Sequence, residues 1–348
     1  MLLLIGVMLL CLYRIEPQLS GFNGDYLSKG STNSIKGIFI LLIVISHSLG
    51  YIQSGSYRFS SIGDDILLWI IGHLGQLVVV MFLFYSGYGI GESYKRKGQD
   101  YVNGFPRRRI LTTLLNFDVA IVAFLLLGLL LGTPLTARQV LLSFVGWESV
   151  GNSNWYIFVI VLCYLFSYLS MRLSSYLPVG RERLMVILQF LLCFVAIVCL
   201  SQEKEKWWYN TMMCYPMGFL YSVYKAPIET FLSKHYWSSC VLLLMLLLGL
   251  LLCPADRFCL SYNGLSIVFA MLVVMLTMKV RIGNPALRWV GEHLFPIYIY
   301  MRLPMIVLEN KLPVMIDAWP ALFIVISLVV TLVIAHFYRY WQIKAIDL

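Results

Sequence analysis

Long runs of Leu, Ile, Val and Phe alternate along the chain with short polar connections. Ten runs are candidates for crossing a bilayer: Lys36–Ser54, Ile66–Ile90, Arg109–Leu131, Asn154–Met171, Met185–Leu200, Trp207–Tyr224, Trp237–Cys253, Cys259–Lys279, Ala286–Leu308 and Trp319–Tyr338. A spanning helix needs about 20 predominantly apolar residues, and most of these runs fall in the workable range. A β-barrel would show segments of about ten residues with strict alternation, and these runs are continuous. The pattern predicts an all-α fold, a polytopic integral membrane bundle of about ten transmembrane helices plus a short N-terminal apolar helix. That first helix, Met1–Tyr13, would be roughly 20 Å long, short of a hydrocarbon core of roughly 30 Å. It reads as interfacial or partly inserted, with an additional true span as the alternative. It has no Lys or Arg ahead of it and no small-residue cleavage site, so it makes a poor signal peptide. Residues 1–30 are then an N-terminal apolar segment and linker, and 31–348 a single transmembrane domain.

Composition agrees with a membrane solvent. Of 348 residues, 60% are apolar and 12% charged, with a mean hydropathy of +0.82, against about 45–50% and about 25% in soluble domains. The net charge of +9 would point to nucleic acid in a soluble protein. Here it follows topology. If Lys36 begins its helix in the cytoplasm, 19 of the 26 Lys and Arg fall on the cytoplasmic side and 6 opposite, as the positive-inside rule requires. The chain is expected in the cell (inner) membrane, multi-pass, with its C-terminus cytoplasmic, in contact with membrane lipids and with no nucleic-acid partner. The eight cysteines show no CxxC or zinc-type spacing, so no metal site is expected. Nothing in the sequence speaks to an oligomeric state.

Ionisable groups inside spans are costly and mark function by default. They are His47, His73, Asp118, His293 with Glu292, Arg302 and His336. At about 1.5 Å per residue, His47 lies about 16 Å beyond Lys36 and Asp118 about 13 Å beyond Arg109, so the two share a depth near the midplane. Asp118 is therefore expected to orient His47 or balance its protonated form, a structural hydrogen bond being the alternative. Eleven steps of about 100° also bring Lys36 and His47 onto one helix face. A cation at the mouth and a titratable ring at depth suit an anionic donor that reaches inward. The six cations Lys95, Arg96, Lys97, Arg107, Arg108 and Arg109 either set topology and touch anionic lipid or bind phosphate, for which Arg is suited.

Several short motifs carry a resemblance. Ile35-Lys36-Gly37-Ile38 leading to Ser46-His47 resembles the opening of the acyltransferase-3 family, where Arg or Lys precedes a His by ten intervening residues. Met81-Phe82-Leu83-Phe84-Tyr85-Ser86-Gly87-Tyr88 resembles the Phe-Phe-x-x-Ser-Gly stretch of its second helix. Phe105-Pro106-Arg107-Arg108-Arg109-Ile110 resembles the basic start of the third, and Asn154-Trp155-Tyr156-Ile157 that of the fourth. Gly291-Glu292-His293-Leu294-Phe295-Pro296-Ile297-Tyr298 resembles its late Gly-x-x-Ser-x-x-x-Tyr segment. The matches stand in family order. Leu294 replaces a common Ser, Met301 stands near a usual His, and Thr112 takes the place of a second Arg.

The resemblance implies an integral membrane acyltransferase, an O-acetyltransferase that moves an acyl group from acetyl-CoA to a hydroxyl of a cell-surface or exopolysaccharide sugar. His47 would be the catalytic base and Lys36, Arg107, Arg108 and Arg109 the donor contacts. Ser86, Trp155, Tyr156 and Tyr298 would line an acceptor site or pocket. Acyl-CoA and a saccharide or lipid-linked glycan would be the partners, with no permanently bound cofactor. Two other classes give similar hydropathy: a transporter or flippase of a lipid-linked saccharide, and a non-catalytic subunit of a glycan-synthesis complex. Transporters usually show internal repeats and broken helices in matched halves, and no such repeat or break is visible. An intact His47 argues against the non-catalytic subunit.

Overall fold

The computed structural model describes residues 2–176, 180–252 and 259–344. Cys253, the end of one predicted span, lies outside them. The path begins with α1 (Leu2–Leu12) and β1 (Ile15–Pro17), then the long α2 (Lys29–Ser54). There follow α3 (Ile62–Leu74), α4 (Leu77–Lys97), α5 (Gln99–Phe105), a π-helical turn (Pro106–Leu111) and α6 (Thr112–Leu131). The short α7 (Ala137–Ser143) precedes α8 (Trp155–Ser174) and α9 (Arg181–Leu200). A 3-10 turn (Lys206–Trp208) leads to α10 (Cys214–Val223), α11 (Lys225–Lys234), α12 (Tyr236–Leu252) and α13 (Cys259–Lys279). After β2 (Val280–Ile282), the chain ends in α14 (Pro285–Glu292), α15 (Leu294–Tyr300), α16 (Arg302–Lys311), α17 (Pro313–Ala318) and α18 (Pro320–Phe337).

Of the ten predicted spans, seven are, among the described residues, helical stretches long and apolar enough to cross a membrane. An eighth arises if α11 and α12, bent by 98°, count as one span. The other two are broken, and proline explains where. Proline cannot bond the carbonyl four residues back, and its ring clashes with it. Pro296 therefore ends α14 at Glu292, and Pro304 ends α15 at Tyr300, so the single helix expected over 286–308 is three short ones. Pro216 sits in the first turn of α10, where it is tolerated, and keeps that helix from running back toward Trp207. The lack of broken helices, held above against a transporter, thus does not apply to this chain.

Two helix pairs approach backbone to backbone. A Cβ on Gly87 of α4 would run into the Tyr215 carbonyl of α10, and one on Gly218 of α10 into the Phe84 carbonyl of α4. Likewise Gly37 of α2 lies against the Leu287 carbonyl and Gly291 of α14 against that of Asn33. Helices in lipid associate through such small residues, because close packing replaces the hydrophobic drive available in water. The two contacts fix the helices that carry Lys36, His47 and Ser86. Gly87→Ala and Gly291→Ala are each expected to cost about 1–3 kcal/mol or more through overpacking. Gly89→Ala, which meets open space, is not. Thermal unfolding of the purified variants in detergent checks the contrast.

The sequence predicts no strands, but β1 pairs antiparallel with β2, Ile15 opposite Ile282. Side chains extend this tie: Asn284 Nδ2 donates to the Leu10 carbonyl at 2.7 Å, and Asn23 Nδ2 to that of Thr277 at 3.2 Å. The Tyr26 hydroxyl donates to Glu229 at 2.7 Å and meets the Tyr221 hydroxyl at 2.8 Å. Residues before Lys29 are therefore stitched to the bundle.

Candidate active site

His47 sits in the last third of α2, on the wall of a cavity of about 230 Å³. The helix pair α3 and α4 breaks at the same place. Gly75, at φ +43°, turns the chain in a region that favours glycine, and α4 restarts after Gln76. Gln76, Trp155 at the start of α8, Trp207 in the 3-10 turn and Tyr298 of α15 complete the walls with Ser46 and His47. Five separate elements thus converge on one imidazole. The amide Nε2 of Gln76 and the hydroxyl of Tyr298 are buried without a hydrogen-bond partner; the Tyr298 oxygen lies beside the Tyr156 backbone without good bonding geometry. Unpaired buried donors are rare in native proteins and call for an explanation.

The charge felt at His47 comes from Arg302. This guanidinium donates from Nε to the Tyr51 hydroxyl at 3.1 Å and from Nη1 to the Asn152 carbonyl at 3.4 Å. Tyr51 is one helical turn beyond His47 on the same face of α2. That i, i+4 spacing of a deep His and a Tyr was the available signal, but no single helix's sequence tells which arginine meets them.

The expected pairing of Asp118 with His47 does not form. Among the described residues the two make no hydrogen bond or ion pair, Asp118 does not line the cavity, and its Oδ1 has no partner. Equal depth is not proximity: α6 packs on α8, α15 and α16. Asp118→Asn should therefore leave the transfer rate and its pH profile unchanged, as steady-state assays across pH would show.

A chain of polar and aromatic groups leads from the cavity. The Tyr156 ring lies 5.3 Å from that of Tyr298. Ser86 of α4 is within hydrogen-bonding reach of the phenols of Tyr156 and Tyr164. Arg109 stands among the phenols of Tyr164, Tyr101 and Tyr215 and stays accessible. Its charge acts on Lys36, whose ammonium is 5.8 Å from the Tyr85 ring centroid. The structure thus brings Lys36, Arg109, Ser86, Tyr156, Trp155, Tyr298 and His47 into one connected set. Tyr101, Tyr164 and Tyr215, absent from the sequence candidates, belong to it. Their signal was weak, because aromatic residues at helical spacing read as core or interface.

The three arginines do not act as one clamp. Consecutive residues of a helical turn point in different directions, and these three lie in the π-helical turn, where Thr112 Oγ1 donates to the Arg107 carbonyl at 2.8 Å. Such turns are frequent at functional sites. The charge of Arg109 acts on Lys36, whereas Arg108 lines a separate cavity of about 600 Å³ with Asn116, His293 and Lys344. Arg107 lines neither. Two other membrane histidines are satisfied locally. His73 Nδ1 lies 2.8 Å from the Trp69 carbonyl and His293 Nδ1 2.8 Å from that of Trp289, each ring against the indole one turn back.

A family model described as an acyltransferase domain matches residues 30–338, nearly the whole chain. Neither curated protein sequences nor solved structures include a match.

Proposed function

The chain belongs to the acyltransferase-3 family, and on that premise we propose that it moves an acyl group, in the first instance acetyl, from acyl-CoA to a hydroxyl of a cell-surface sugar at His47. The observation that carries this reading is the pairing of two features on α2. A half-buried imidazole lines a cavity with unpartnered donors. Eleven residues away, about 16 Å along the helix, stands Lys36, on which the charges of Lys29 and Arg109 both act. Cations whose charges act on one another in this way favour an anion beside them, and the phosphates of coenzyme A supply one. The extended phosphopantetheine arm would follow Ser86, Tyr156 and Tyr164 toward the cavity. Lys36 and its neighbours would then mark the cytoplasmic end, and a location in the inner membrane with a cytoplasmic C-terminus is part of this proposal.

In this mechanism a ring nitrogen of His47 takes the proton of the acceptor hydroxyl. The oxygen attacks the thioester carbonyl carbon, the carbon–sulfur bond breaks, and the thiolate leaves with the proton returned by the imidazolium. An imidazole can accept a proton at one ring nitrogen and give it back, which suits it to both transfers. The acceptor enters between Trp155 and Trp207, aromatic walls of the kind that hold a sugar ring.

The test is purified protein in lipid vesicles with labelled acetyl-CoA and the glycan fraction of the source cells. Label should move to glycan hydroxyls in a His47-dependent way. Saccharide crossing the vesicle membrane with acetyl-CoA untouched would select the transporter, and no activity of either kind the non-catalytic subunit.

A further inference from the structure

From the cavity geometry, and resting on the acyl-transfer reading above, we infer that the side-chain amide of Gln76 and the hydroxyl of Tyr298 form the oxyanion pocket of the reaction. Both line the same cavity of about 230 Å³ as His47, and both present a buried donor that has no acceptor within the protein. The cavity is smaller than the roughly 300–1,000 Å³ that holds a drug-sized ligand. A group seated there meets the imidazole and both donors together. A base and two convergent hydrogen-bond donors are what acyl transfer requires, because negative charge develops on the former carbonyl oxygen as the hydroxyl oxygen adds.

The backbone supports the assignment. Gly75 interrupts what would otherwise be a 36-residue helix from Ile62 to Lys97, and the interruption falls beside His47. It creates a helix start where an unbroken helix would have none. The first turn of α4, through Val78 and Val79, borders the cavity, so the positive end of that helix faces the space where the oxyanion would form. Gln76 occupies the position before the helix. Its side chain makes no capping bond, although a residue there commonly caps its own helix. Arg302 adds a positive charge felt at both His47 and Tyr298.

The step balances. Addition of the acceptor oxygen moves the carbonyl π electrons onto the carbonyl oxygen, which accepts hydrogen bonds from Gln76 Nε2 and Tyr298 Oη. The imidazolium of His47 holds the acceptor's proton. Collapse restores the carbonyl, expels the coenzyme A thiolate and passes that proton to sulfur. The product is the ester, and no oxidant, reductant or further reactant takes part.

Three variants test this with labelled acetyl-CoA as donor and the glycan fraction of the source cells as acceptor. Gln76→Ala removes the amide, Gln76→Glu keeps the shape and replaces donor by acceptor, and Tyr298→Phe removes only the hydroxyl. Each should lower kcat by about 10²–10³-fold, with the KM for acetyl-CoA and the thermal unfolding midpoint unchanged. Near wild-type kcat in Gln76→Glu and Tyr298→Phe, with His47→Ala inactive, would overturn the oxyanion pocket and leave the base in place. A raised acceptor KM at unchanged kcat would overturn it too, placing Gln76 in ground-state binding of the sugar. Should Gln76→Ala fail to fold, the two conservative variants decide. Activity that survives in His47→Ala would instead strike at the acyl-transfer reading.

Discussion

His47→Ala should lower acyl transfer by about 10²–10⁴-fold, the usual contribution of a positioned general base, while membrane insertion and the amount of folded protein stay normal. The two halves of this expectation separate chemistry from packing. His47 borders a cavity instead of filling a tight contact such as those at Gly37 and Gly291, so truncation enlarges a space that already exists. The binding of acetyl-CoA should survive, because Lys36 lies about 16 Å away along α2 and Arg109 in the π-helical turn before α6. His47→Gln, which keeps a hydrogen-bonding side chain but no basic ring nitrogen, should be as inactive as the alanine variant. Assays of label transfer at saturating acetyl-CoA, with protein quantified in the membrane fraction, measure the loss directly.

Removing the cations should act on the donor instead. Hydrogen bonds to charged groups are worth about 1.5–3 kcal/mol, which corresponds to about 10–150-fold in affinity. Lys36→Ala and Arg109→Ala should each weaken acetyl-CoA binding by that order, leaving the single-turnover rate of bound donor little changed. Lys36→Arg should retain most of the affinity, since a guanidinium also pairs with phosphate. Arg108→Ala is the control: Arg108 lines the separate cavity beside Asn116, His293 and Lys344, and its loss should leave donor affinity as it is. Equal effects at Arg108 and Arg109 would mean that the cluster attracts the donor only through its summed charge.

Much of this site was legible in the sequence because it lies along single helices. The Lys36–His47 spacing fixes both depth and face once α2 is continuous, and it is continuous from Lys29 to Ser54. The glycines of the family motifs, Gly87 and Gly291, acquire a physical reason in the structure, since each lets one backbone approach another's carbonyl. What the sequence hid is lateral arrangement. Depth put Asp118 beside His47, but neighbours around a bundle are chosen by packing, and Arg302 holds that place. The breaks at Pro296 and Pro304 were missed for another reason. Hydropathy averages over a window and stays high across a kink, although both prolines stood in plain sight. Gln76 drew no notice, being a polar residue next to a glycine. Its meaning depends on Tyr298, more than two hundred residues later, lining the same cavity.

The central claim is that donor phosphates at Lys36 and Arg109 and acyl transfer at His47 belong to one site. A structure of the protein bound to a non-hydrolysable acetyl-CoA analogue tests it most directly. The account predicts phosphates between Lys36 and Arg109, the arm running past Ser86 and Tyr156, and the acyl carbonyl in the His47 cavity, about 3–3.5 Å from the site of attack. A nucleotide seated in the cavity beside Arg108, with its acyl group remote from His47, would contradict it.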